Sequence, residues 1–74
     1  MEYEEIVQKI RNLEIQGAEN IAIMATKAFG IKLKETSNIA DLKRYADELI
    51  STRPTEPAMR NALKFCLRYR KEKN

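Results

Sequence analysis

Apolar residues recur at spacings of three and four along most of the chain, which is the pattern of helices with one buried face. In the first segment Tyr3, Ile6 and Ile10 share one side, and glutamates fill the first turn, where negative charge favours the helix dipole. No segment sustains the alternation of apolar and polar residues that is typical of strands. The pattern predicts one all-α domain over residues 1–74, a small bundle of about four helices, at approximately Glu2–Leu13, Ala18–Lys34, Ile39–Ser51 and from Glu56 into the C-terminal tail.

The second predicted helix is apolar around a wide arc, and alanines at positions 18, 22, 25 and 28 add a strip of small residues along it. A helix that is apolar so far around usually lies at the centre of its bundle. Because three short neighbours would hardly cover such an arc, we expect the chain to form a homo-oligomer or a hetero-oligomer. Gly30 leaves two alternatives open, since a glycine either ends a helix or is tolerated within it.

Two turns stand directly before predicted helices. One is Gln16-Gly17-Ala18 and the other is Thr52-Arg53-Pro54-Thr55. Pro54 excludes Arg53 from the helical region of backbone angles, Thr55 is a suitable N-cap, and Pro57 falls near the first helical position. Amide groups at a helix start and an arginine nearby are what an anion requires. The alternative is that both turns are only loops that interrupt helices.

Composition restricts the chemistry available to the chain. It has 74 residues, no histidine and a single cysteine, Cys66. These counts exclude an intrachain disulfide, a cysteine metal cluster and any histidine-based catalytic triad. We therefore expect no catalytic residue, no metal and no cofactor. No apolar run is long enough to span a membrane and the acidic N-terminus does not resemble a signal peptide, so we expect a cytoplasmic protein with no membrane partner.

The net charge of +3 is unevenly distributed, since residues 1–37 sum to −1 and residues 38–74 to +4. The last helix ends in a basic tail, Lys64 to Lys73, in which Phe65 and Tyr69 are interleaved. Such a tail could bind RNA, but basic residues also favour any helix C-terminus, and we do not expect a nucleic-acid partner. We predict a buried stripe on this helix that includes an inert core thiol: Met59, Ala62, Leu63, Cys66 and Tyr69, widened by Phe65 and Leu67.

The residues around the two turns also resemble a known family. Asn12-Leu13-Glu14-Ile15-Gln16-Gly17-Ala18 precedes an alanine-rich helix, and Thr52-Arg53-Pro54-Thr55 is followed by Arg60-Asn61-Ala62-Leu63. Together they resemble the N-terminal helical domain of a family that includes the alpha, beta and delta subunits of eukaryotic translation initiation factor 2B. Methylthioribose-1-phosphate isomerase and ribose-1,5-bisphosphate isomerase belong to the same family.

This resemblance implies that Gly17, Ala18 and Arg53 lie on the phosphate side of a sugar-phosphate site, between the helical domain and a larger C-terminal α/β domain. Gln16 is included in the predicted site, although the family usually has arginine there and glutamine supplies no charge. The catalytic cysteine and aspartate of the isomerases lie in the α/β domain, which this sequence does not contain, and Cys66 is not that cysteine.

The function predicted from these observations is that of a non-catalytic helical module for protein–protein interaction, related to translation initiation factor 2B subunits and retaining a phosphate-binding turn. The alternative is the N-terminal half of a sugar-phosphate isomerase, completed by a separate α/β domain that carries the catalytic pair. A third hypothesis is RNA binding through the basic C-terminal helix.

Overall fold

The computed structural model describes residues 2–73, with the side chains of residues 2–70. The described residues form four α-helices and no strand, which confirms the predicted all-α bundle. None of these helices has the length and apolar content that crossing a membrane requires. The helices are α1 (Tyr3–Arg11), α2 (Ala18–Glu35), α3 (Ile39–Thr52) and α4 (Pro57–Lys73).

α1 ends two residues earlier than predicted because the chain reverses at Leu13, whose φ is 65°. The amide of Leu13 donates to the Ile10 carbonyl at 3.2 Å and that of Glu14 to the Lys9 carbonyl at 2.9 Å. These two bonds form a Schellman motif, the usual way in which a left-handed residue terminates a helix. Glycine normally occupies that position, and here a leucine does.

Helix starts follow the predicted polar breaks, with one exception. At the start of α3, the side chain of Asn38 accepts a hydrogen bond from the Asp41 amide at 3.1 Å, so this residue is the N-cap. The prediction that Thr55 caps α4 is wrong. Pro57 is the first helical residue and the carbonyl of Glu56 accepts from the Arg60 amide at 3.3 Å, which makes Glu56 the N-cap.

α2 packs against each of the other three helices, as α3 also does, so α2 shares with α3 the central position that was predicted for it alone. α1 lies against α2 and α3 on one side, and α4 lies against the same two helices on the other. Gly30 does not end α2, since the helix continues through it to Glu35. All four helices contribute to one core, whose largest fully buried side chains are Phe29, Ile6, Ile10, Ile21, Leu42, Leu49, Met59, Leu63 and Val7.

The predicted buried stripe of α4 is wrong at its aromatic residues. Met59 and Leu63 are fully buried, but Phe65 is 69% exposed and Tyr69 is 54% exposed. A step of two residues turns a helix by about 200°, so Phe65 lies nearly opposite Leu63 and away from the core. Cys66 is half-buried at the edge of the core rather than inside it.

α2 and α4 run parallel. Ala22 and Ile23, early in α2, line a hollow with Ala62, whereas Leu33, late in α2, lines one with Phe65 and Tyr69. The starts of α2 and α4 therefore lie at the same end of the bundle. The turns that precede these helices, residues 12–17 and 53–56, share that end.

Candidate functional site

The turn before α2 exposes the amide groups of a helix start. Gly17 is the N-cap residue with a φ of 87°, a backbone conformation that favours glycine. Its carbonyl accepts from the Ile21 amide at 2.9 Å, and no side chain caps the helix. The first amides of a helix have no partner within it and carry the positive end of its dipole. Ala18 is exposed and begins α2, so its amide faces outward with the next ones.

The side chain of Gln16 is turned back onto its own loop. Its Nε2 donates to the Leu13 carbonyl at 2.9 Å. A second contact steadies the same turn, since Lys9 Nζ lies 3.7 Å from Glu14 Oε1. Gln16 therefore supports the shape of the turn, and its amide group is already engaged. The first turn of α2 also contains an exposed carboxylate, Glu19, which opposes any anion at this end.

Arg53 follows the last residue of α3 with φ −147° and ψ 73°. This conformation lies outside the helical region, as predicted from the proline that follows. The Arg53 amide donates to the Ile50 carbonyl at 3.1 Å and its carbonyl accepts from the Glu56 amide at 3.0 Å. The guanidinium of Arg60 donates to the Pro54 carbonyl. The turn is thus held at both sides by hydrogen bonds.

The guanidinium of Arg53 is half-buried and lacks a partner in the described part of the chain. Its Nε is buried and makes no hydrogen bond. Oε2 of Glu56, on the same turn, is also buried and also makes no hydrogen bond. A buried polar group without a partner costs about 1–3 kcal/mol, and more when it is charged. This turn is therefore one place where an added ligand or protein surface would satisfy groups left without a partner; Arg70 on α4, whose Nε is likewise buried without a hydrogen bond, is another.

The predicted site residues are thus placed at one end of the bundle but are not joined. Gln16, Gly17 and Ala18 are contiguous, and Arg53 lies on the other turn at that end. No hydrogen bond or ion pair among residues 2–70 links Arg53 to the other three. The arrangement offers helix-start amides and a guanidinium on two separate turns that face the same end.

A cluster of Tyr3, Lys32, Tyr45 and Glu48 was not predicted from the sequence. The hydroxyl of Tyr3 donates to Oε1 of Glu48 at 2.6 Å, and the Tyr3 ring packs edge-on against that of Tyr45 with centroids 5.4 Å apart. Lys32 Nζ lies 4.9 Å from one ring centroid and 4.7 Å from the other. Burial, reinforced by the hydrogen bond to Glu48, raises the pKa of Tyr3. The apolar stripe of the first helix predicted that Tyr3 is buried. The sequence around Tyr3 does not identify Glu48, 45 residues away, as its hydrogen-bond partner.

Two further titratable groups, Lys32 and Cys66, have raised pKa values. A hydrogen bond from Lys32 Nζ to Glu35 Oε1 at 3.1 Å raises the pKa of the lysine. Burial raises the pKa of the Cys66 thiol, so this cysteine is less of a thiolate than an exposed one. Among the residues that the structure describes, no group of three or more histidine, cysteine, aspartate or glutamate side chains could hold a metal ion.

The chain is similar in sequence to two proteins named ribose 1,5-bisphosphate isomerase. It is 32% identical over 68 residues to the protein from Archaeoglobus fulgidus, covering 88% of this chain and 22% of that protein. It is 35% identical over 69 residues to the protein from Thermococcus kodakarensis, covering 85% of this chain and 21% of that protein. The chain therefore spans about a fifth of the length of these curated relatives. No protein-family model and no solved structure matches it.

These similarities confirm part of the expected resemblance. The chain is related to ribose 1,5-bisphosphate isomerases at low identity, over most of its own length and a small part of theirs. The placement at the N-terminus of such proteins and the link to translation initiation factor 2B stay predictions. The named activity is that of the relatives.

Proposed function

We propose that this chain is a non-catalytic helical module that acts by associating with another protein region and contributes a phosphate-contacting end to the site they form. The contacts are the amides of Gly17 and Ala18 and the guanidinium of Arg53. One observation carries the proposal: the Arg53 guanidinium, half-buried with its Nε unpaired, lies at the same end of the bundle as the uncapped start of α2. Relationship to ribose 1,5-bisphosphate isomerases supports a sugar phosphate as the ligand.

The chemistry of this end suits a phosphate. A guanidinium presents parallel N–H donors that match two oxygens of a phosphate, and helix-start amides add neutral donors with a favourable dipole. Gln16 adds no charge and its amide is already bonded to the Leu13 carbonyl. Glu19 opposes an anion. The affinity therefore depends mainly on Arg53, and we expect a weak site in the isolated chain.

The absence of histidine from the sequence supports the non-catalytic part of the proposal. Burial raises the pKa of both Tyr3 and Cys66, which makes each of them a poorer base or nucleophile near neutral pH. Any catalytic acid, base or nucleophile would then come from a region that corresponds to the other four-fifths of the relatives.

The alternative function is that of an isomerase part: this chain would be the N-terminal half of a sugar-phosphate isomerase, completed by a separate α/β domain. The names of the relatives favour it. The two proposals share the phosphate end and differ in whether turnover appears when the missing region is supplied. Mixing the chain with an α/β domain of one of the relatives and assaying isomerisation of ribose 1,5-bisphosphate separates them.

The phosphate end is tested by calorimetric titration with ribose 1,5-bisphosphate. Replacing Arg53 by alanine removes charge-assisted hydrogen bonds worth about 1.5–3 kcal/mol, so we expect Kd to rise about tenfold or more. The matched control is Lys43→Ala, an exposed lysine early in α3, at the other end of the bundle. Equal affinity of the wild type and the Arg53→Ala variant would contradict the proposal.

A further inference from the structure

The α2–α4 face, the outer surface where these two parallel helices meet, contains apolar residues that the bundle does not cover. Towards the start of the helices Ala22, Ile23, Thr26 and Ala62 line a hollow of about 400 Å³. Further along, Leu33, Phe65 and Tyr69 line a second one of about 270 Å³. Phe65 is 69% exposed and Ile23 is 47% exposed, so large apolar side chains border both hollows.

Gly30 stands on α2 between the α2 residues of the two hollows. A Cβ built on it would meet nothing within 4 Å, so the fold of this chain does not require a glycine there. A glycine inside a helix is nevertheless less favourable than alanine. Because Gly30 has no side chain, it leaves room for the backbone of another helix to come close. Close helix–helix packing uses such room.

The charges around this face are of one sign. On α2, Lys27 lines the hollow beside Ile23. Lys32 lies elsewhere, over the rings of Tyr3 and Tyr45. On α4, every charged residue before Glu72 is arginine or lysine. Over residues 2–70, the α4 side chains of Lys64, Arg68 and Arg70 form no ion pair. By contrast, α3 alternates acidic and basic residues, and Arg44 pairs with Asp41 at 3.4 Å. The α2–α4 face is therefore apolar along its middle and basic at its margins.

We propose that the α2–α4 face binds an acidic amphipathic helix of a partner protein. Apolar anchors of that helix, spaced three and four residues apart, fill the hollows beside Phe65 and Ile23, and its backbone passes close to Gly30. Its carboxylates face Lys64 and Arg68. This inference rests on the association part of the proposed function and specifies the chemistry of the partner. Single-stranded RNA is less suited to this face, because it would contact the basic and aromatic residues but gain nothing from the room beside Gly30.

The experiment measures binding of a fluorescein-labelled, 18-residue designed helix with leucines on one face and glutamates on the other, by fluorescence anisotropy with the whole chain. We expect binding that weakens at least tenfold in Phe65→Ser and in Gly30→Leu. Phe65 is exposed and leucine is a better helix former than glycine, so both variants keep the fold, which circular dichroism checks. The matched control is Leu13→Ser, an apolar residue 53% exposed on a different surface, which should leave binding unchanged.

Three results would overturn the proposal. The first is no binding of the acidic helix, or equal binding of a control peptide with lysine in place of glutamate. The second is a wild-type dimer in sedimentation that Phe65→Ser dissociates, which would assign the face to a second copy of this chain. The third is tighter binding of a 12-nucleotide uridine RNA that Phe65→Ser abolishes. The phosphate titration addresses Arg53 at the end of the bundle, so failure of either proposal is distinguishable from failure of the other.

Discussion

At the scale of single residues, Leu13 adopts a backbone conformation that suits glycine. Its φ of 65° is left-handed, and its side chain is 53% exposed and so gains little from packing. The left-handed conformation costs an ordinary residue about 1–2 kcal/mol. The Schellman bonds that end α1 use only the backbone of this residue. Leu13 is therefore a position where the chain is less stable than it could be.

We predict that Leu13→Gly raises the free energy of unfolding by about 1 kcal/mol, since the strain is relieved at some cost in chain entropy. Urea denaturation followed by circular dichroism measures the change. Leu13→Ala is the control, because alanine keeps the Cβ that makes the conformation unfavourable. A gain of the same size in alanine would assign the effect to removal of the exposed leucine side chain.

Ionisation of Tyr3 is linked to folding. Its pKa is raised in the folded state, first by burial and then by the hydrogen bond to Glu48. Its contribution to stability is therefore complete below about pH 10, the ordinary tyrosine pKa, and is lost as the pH rises beyond that value towards the raised one.

Tyr3→Phe should lower the free energy of unfolding by about 1–2 kcal/mol at pH 7, because the hydrogen bond to a carboxylate is lost. The difference from the wild type should shrink in alkaline buffer above about pH 10. Urea melts of the wild type and the variant at a series of pH values measure both effects. A difference that stays constant up to pH 12 would show that ionisation of Tyr3 is not linked to folding.

At the scale of elements, periodicity predicted what it can in principle report, namely which segments are helical and which face is apolar. α3 has a clear apolar stripe and α2 is apolar around a wide arc, and the limits of both helices were predicted within one residue. The end of α1 was predicted two residues beyond its actual position. The helix ends at a leucine with a left-handed backbone conformation, and no sequence signal for a turn indicates this. Phe65 was misplaced because an apolar residue on a helix does not by itself indicate burial.

The helix start at Asn38 is an element whose stability depends on one side chain. We predict that Asn38→Ala lowers the free energy of unfolding by about 1 kcal/mol, since the Asp41 amide loses its partner. Thermal and urea denaturation measure this loss. Ser37→Ala, one residue earlier and exposed, serves as the control and should change stability by less than about 0.5 kcal/mol. Equal losses in both would mean that the loop, and not the cap, limits α3.

At the scale of the whole molecule, the bundle has surfaces with different chemistry. The end formed by the starts of α2 and α4 presents backbone amides and the side chain of Arg53, whose Nε has no partner. On a different part of the bundle, Tyr3 of α1 contacts Lys32 of α2 and Glu48 of α3, which joins these three helices. The positions of the two turns, each directly before a helix, were predicted from the sequence. The sequence did not reveal that the side chain of Gln16 bonds to the Leu13 carbonyl three residues earlier, because this depends on the backbone shape of the turn. It also did not reveal that parallel packing of α2 and α4 places both turns at one end, because this depends on contacts between distant residues.

We propose that a phosphate binds at this shared end of the bundle. The measurement that tests it most directly is the two-dimensional amide NMR spectrum of the whole chain during titration with ribose 1,5-bisphosphate, with inorganic phosphate as a second probe. We expect shifts confined to the amides of residues 17–20 and of Arg53, Thr55 and Glu56, and their loss in Arg53→Ala. An unchanged spectrum, or shifts centred on α4 between Lys64 and Arg70, would contradict it.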